Sequence, residues 1–174
     1  MARENGKYGS HDGFAAELAP ERRMEVPVKA GAAGRDPEFF DVSSGVPAMD
    51  ALHHAFFDGL DRLSIASDKE FPVCFGRFVA QVERTFRQEE DWMESVDVSD
   101  LLAHREQHAR VLSALHNVHM RVADGDLKLG REVVDQLLPQ WFALHMSTMD
   151  SALARAMQSS QRRHDAGAEK VLLN

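Results

Sequence analysis

Four stretches of this chain repeat apolar residues at the three-and-four spacing of an α-helix, and each of those stripes carries an imidazole or a carboxylate on or beside it. From about 47 to 66 the stripe is Met49, His53, Phe56, Leu60 and Leu63, and from about 70 to 96 it is Phe71, Phe75, Phe78, Val82, Thr85, Glu89 and Met93. A third runs from Ser99 or Asp100, either of which could cap it, to about 123, through Leu101, His104, His108, Val111, Leu112, Leu115 and Val122. The last spans about 129 to 157 through Val134, Leu138, Trp141, His145, Met149 and Leu153. No stretch alternates as a strand would, so the chain predicts an all-α protein. Connections of roughly four to seven residues make consecutive helices antiparallel neighbours, in an up-down-up-down four-helix bundle. The Asp124-Gly125-Asp126 turn is the clearest of them. Ser43 or Ser44 is placed to cap the first helix, and Pro47 suits its first turn. Pro139 either kinks the fourth helix or marks where a new one starts.

The 174 residues suit one domain. Residues 1–38 keep no sustained period and read as a flexible N-terminal extension. Residues 39–160 hold the bundle, and 161–174 form a polar C-terminal tail. A net charge of −8 argues against nucleic acid or an anionic membrane as partner. No apolar run reaches bilayer length and no basic-then-apolar leader opens the chain, so a cytoplasmic protein is expected. Cys74 stands alone, which excludes an intrachain disulfide and a thiolate cluster, and its apolar surroundings read as core.

Burying His53, Glu89, His104, His108, His145 and Asp150 without partners would oppose folding, and a shared cation removes that objection. His104 and His108 are four residues apart, so they lie on one helix face and can grip one ion. Glutamate does not follow the first histidine directly, which excludes the zinc-protease pattern, and no E-x-x-H occurs, which disfavours the ferritin-like design. His145 and Asp150 are five apart, a rotation of about 140° on an ideal helix. That suits a histidine at one ion and a carboxylate reaching across to bridge two. Imidazoles and carboxylates without sulfur favour iron, manganese or zinc. Six ligands with two carboxylates favour a pair of ions, while a single iron or zinc is the alternative. His54, His116 and His119 read as surface or edge residues, Trp92 and Met93 as core, and the Glu-rich run 89–94, apart from Glu89, as a solvated face.

Taken in order, the residues Asp50-Ala-Leu-His53, Thr85-Phe-Arg-Gln-Glu89-Glu90-Asp-Trp-Met93, His104-Arg-Glu-Gln-His108 and Trp141-Phe-Ala-Leu-His145-Met-Ser-Thr-Met-Asp150 resemble the hemerythrin family over about 39–157. The resemblance implies a non-haem di-iron centre with an oxo or hydroxo bridge. His104, His108 and His145 would bind one iron, and Glu89 and Asp150 would bridge both. The second iron would keep His53 and have Thr85 where the family has another histidine. Trp141, Phe142 and Met146 would wall the open position at which the family binds dioxygen, although plain helix core explains their spacing equally well.

These readings lead to a protein that binds dioxygen or a related small oxidant (peroxide, nitric oxide) for carriage, storage or sensing, rather than an enzyme. Thr85 makes reversible carriage less secure and brings peroxide- or oxidase-type turnover closer. A mononuclear metal protein is the second reading. A helical interaction module without metal, contacting a partner protein through the N-terminal extension, is the third.

Overall fold

The computed structural model describes residues 43–96 and 101–172. The extension expected over 1–38, and Ser99 and Asp100 as caps, lie outside those residues. Four helical stretches account for nearly all of what is described: α1 (Pro47–Ile65), α2 (Phe71–Ser95), α3 (Leu101–Ala123) and α4, unbroken over 127–172. There is no strand among the described residues, and none of their helices is long and apolar enough to cross a membrane.

Local chemistry sets the boundaries. Pro47 opens α1 as expected, but the cap position falls on Val46 rather than on Ser43 or Ser44. Asp50 reaches back instead, its Oδ1 accepting from the Ser44 backbone N–H at 2.6 Å and from the Ser44 hydroxyl at 2.7 Å. Gly45 makes this reversal possible with a φ of 72°. Gly125, at φ 102°, turns the chain after α3, and the Asp126 side chain then accepts from the Leu129 N–H at 3.2 Å to cap α4. The α4 helix therefore begins slightly earlier than its apolar stripe, and it runs well past Met157.

Two widened turns interrupt α4. Its α-helical segments Leu127–Glu132, Leu138–His145 and Ser151–Leu172 are joined by π-helical turns at Val133–Leu137 and Met146–Asp150. The first lies directly ahead of Pro139, which has no N–H and whose ring crowds the carbonyl four residues back. Widening that turn, with the Leu138 N–H bonded five residues back to Val133, lets the helix pass through the proline without ending. In the second turn the hydroxyls of Ser147 and Thr148 both donate to the Leu144 carbonyl, at 2.9 and 2.8 Å, and occupy a backbone acceptor where the regular ladder is broken.

The apolar residues form two clusters. The larger contains Phe56, Phe78, Phe86, Val111, Leu115 and Phe142, with Cys74 half-buried against it. The smaller consists of Met49, Met93, Leu153 and Ala154, flanked by Val46, Trp92, Val96 and Met157. Between them along the helices lies a layer of buried polar groups: His53 follows Met49 and precedes Phe56 on α1, and Glu89 falls between Phe86 and Met93 on α2. His104 and His108 precede Val111 on α3, while His145 and Asp150 fall between Phe142 and Leu153 on α4.

Candidate metal centre

All six ligand candidates reach this one layer, each no more than 3% exposed. Single ligand atoms of Glu89, His104, His108 and His145 lie within 4.8 Å of one another, and those of His53, Glu89 and Asp150 do likewise. Glu89 belongs to both groups. Asp150 also faces both: its Oδ1 is 3.2 Å from His104 Nε2 and 3.3 Å from His145 Nε2, while its Oδ2 is 3.1 Å from His53 Nε2. His108 Nε2 stands 3.1 Å from Glu89 Oε2.

Two observations test whether a cation fits. Glu89 Oε1, Glu89 Oε2 and Asp150 Oδ1 are buried without a hydrogen-bond partner, although imidazole nitrogens surround them. These groups approach one another without the alignment of paired donors and acceptors. The imidazole tautomers say the same. His108 Nδ1 donates to Glu90 Oε1 at 3.2 Å and His145 Nδ1 donates to Gln107 Oε1 at 3.1 Å. When each ring carries a single proton its lone pair lies on Nε2, and those two Nε2 atoms are 3.2 Å apart. Lone pairs facing each other at that distance repel unless a cation sits between them. Donors about 2.1 Å from one ion, at right angles, stand roughly 3 Å apart. The residues present therefore fit a cation.

The environment prepares the ligands for that role. Burial, helped by the neighbouring His145 and His104, pushes the His108 imidazole down from 6.5 to about 2, so it stays neutral with its lone pair available. Burial likewise lowers His104. Glu89 is driven well above the usual carboxylate range by burial, with the charges of Asp150 and Glu90 adding to it. For Asp150 burial alone would act upward, but attraction to His145 and contacts with His104, His145 and His53 outweigh it and hold the group low. One carboxylate resists ionising beside another, and a cation relieves that conflict.

The five-residue step from His145 to Asp150 is where the expectation from an ideal helix fails. The π turn at Met146–Asp150 absorbs one residue, so positions five apart share a face as positions four apart do in an α-helix. Asp150 therefore reaches across from directly beside His145, without the 140° offset. Deleting Thr148 should convert the turn to α-helix and leave the metal content unchanged, whereas inserting one alanine after Thr148 should swing Asp150 aside by about 100° and sharply reduce it. Metal analysis of the two purified variants decides between these outcomes.

The wall residues line both donor groups, with Phe142 parallel to His145 at 6.4 Å as well as beside His53. Trp141 stacks on His145 with centroids 4.6 Å apart, and Phe86 stacks on His108 at 3.9 Å. Phe142 lies edge-on to His53 at 5.6 Å and stacks on Phe56. Met146 is half-buried against the larger apolar cluster. Thr85 is buried one turn before Glu89. His54 is exposed and bonded to the Asp50 carbonyl, and His116 is exposed and paired with Glu83. His119 is half-buried beside Phe75.

Glu90 and Gln107 are the residues that sequence reasoning missed. Glu90 is only about one-third exposed, so the solvated-face expectation fails there. It is one position beyond Glu89, which turns it by about 100° towards α3, where it meets His108 and Arg105. Adjacent carboxylates in a helix that carries one ligand were the available signal. Such outer partners orient ligating imidazoles. Replacing Glu90 by leucine should weaken metal binding by about 10- to 100-fold, and glutamine, which keeps an acceptor, should restore most of it. Competition with a coloured chelator reads both.

These features define a helical protein with a buried imidazole–carboxylate centre suited to cations. Residues 44–172 match the family described as Hemerythrin HHE cation binding domain. A bacteriohemerythrin from Ralstonia nicotianae (strain ATCC BAA-1114 / GMI1000) is 39% identical over 125 residues, which span 72% of this chain and 89% of that protein. The chain belongs to the hemerythrin family. No solved structure matches it.

Proposed function

We propose that this protein is a hemerythrin-like, non-haem iron protein that binds dioxygen or a related small oxidant, such as peroxide or nitric oxide, for carriage, storage or sensing. The observation that carries this reading is the convergence of imidazole nitrogens on two buried carboxylates that have oxygens without a hydrogen-bond partner. The similarity to a bacteriohemerythrin supports it. In this reading His104, His108 and His145 hold one iron, Glu89 and Asp150 bridge to a second, and His53 is the imidazole of that second iron, with Thr85 at the place of another. A bound iron pair supplies the electrons that a small oxidant takes up. The chain's own part is to keep His104 and His108 neutral by burial, to aim His108 and His145 through Glu90 and Gln107, and to keep bulk water out with Phe86, Trp141 and Phe142.

The order of apolar layers supports an up-down-up-down bundle. The α1 and α3 helices carry their ligands before the larger cluster, whereas α2 and α4 carry theirs after it.

The test is to load metal-free protein with ferrous iron without oxygen, count the iron, admit oxygen and then remove it. About two ions per chain and an optical spectrum that appears with oxygen support the proposal. Failure to respond to oxygen, peroxide or nitric oxide defeats it. A single-ion centre is the second reading, favoured by the lone imidazole His53 in the smaller donor group, and about one ion per chain would establish it.

A further inference from the structure

We infer that the two donor groups differ in the ion they hold: the histidine-rich group keeps a resident iron, and the His53–Glu89–Asp150 group is an exchangeable position for a hard divalent cation, manganese(II) as readily as iron(II). This rests on the two-ion reading above. With Glu89 and Asp150 reaching both positions, the first has three imidazoles beside those two carboxylates, while the second has the one imidazole of His53. Imidazole favours iron and zinc, and carboxylate oxygen favours manganese and magnesium, so the second position is the harder of the two.

The geometry divides the bridging carboxylates accordingly. Asp150 turns Oδ1 to His104 and His145 and Oδ2 to His53. Glu89 places Oε2 beside His108, and its buried Oε1 has no hydrogen-bond partner and can serve the second ion. The histidine-rich group is also held from outside. His108 and His145 are pinned through Nδ1 by Glu90 and Gln107 and held by the stacked rings of Phe86 and Trp141. Thr85, buried on the same helix one turn from Glu89, offers only a short neutral hydroxyl. Fewer strong ligands make for faster exchange.

The experiment uses the full chain stripped of metal. Two equivalents of ferrous iron are added without oxygen, and release to a chelator is timed. Two phases should appear, separated by at least ~10-fold in rate. The fast phase should vanish in His53→Ala and slow by ~10- to 100-fold in Thr85→His, which supplies an imidazole. Separately, protein given one equivalent of zinc should take up one manganese(II) per chain, read as loss of the free-ion electron spin resonance signal. This second arm needs no variant to fold. A single release phase with two ions bound, or no manganese uptake by the one-zinc protein, overturns the inference and leaves the two-ion reading standing. Failure to bind two ions of any kind overturns both.

Discussion

Removing metal should lower the melting temperature of this protein by roughly 8–16 °C. A ligand present at about a thousand times its dissociation constant stabilises the native state by about 4 kcal/mol, and a chain of this size shifts by about 2–4 °C per kcal/mol. The structural reason is specific. Without a cation, the Nε2 atoms of His108 and His145 crowd each other at 3.2 Å, and Glu89 and Asp150 bury oxygens that nothing satisfies. Melting followed by circular dichroism before chelation, after it and after iron is restored makes the measurement. An unchanged curve would mean that the polar layer needs no cation, and the proposed function would fall with it.

The second large effect concerns Glu89, the one residue common to both donor groups. Glu89→Leu should lose both ions. It should also make the metal-free protein more stable than metal-free wild type, by about 1–3 kcal/mol, because an unpartnered buried carboxyl is replaced by an apolar side chain of similar size. Wild type with metal should still exceed both. Urea unfolding of the four species (two proteins, each with and without metal) gives the comparison. A metal-free variant weaker than metal-free wild type would mean that Glu89 has a structural partner the layer does not reveal.

Much of this was visible in the sequence because helical period is a strong signal and imidazoles and carboxylates on an apolar stripe are conspicuous. His53, Glu89, His104 and His108 fall where an ideal α-helix predicts, since α1, α2 and α3 are regular through those positions. The α4 helix is the exception. Period alone gave no warning that the chain widens ahead of Pro139 and again at Met146–Asp150, because a π turn depends on how freed carbonyls are satisfied in three dimensions. Ser147 and Thr148, two hydroxyl residues between His145 and Asp150, were the trace it left. The roles of Glu90 and Gln107 were hidden for another reason. A polar residue at the edge of a stripe looks the same whether it meets water or a ligand's far nitrogen, and only the packing of α2 and α4 against α3 decides.

The thinness of the smaller cluster has its own consequence. Among the described residues its fully buried members are Met49, Met93, Leu153 and Ala154, against the far larger cluster on the other side of the polar layer, so a cation bound beneath them would act as a rivet. Pulling the rivet should loosen one end alone: backbone amides near Met49 and Leu153 should trade hydrogen for deuterium quickly, while those near Phe75 and Leu115 stay protected. Occupancy of the centre would then be readable at a distance, as a softening of the end where the chain enters α1.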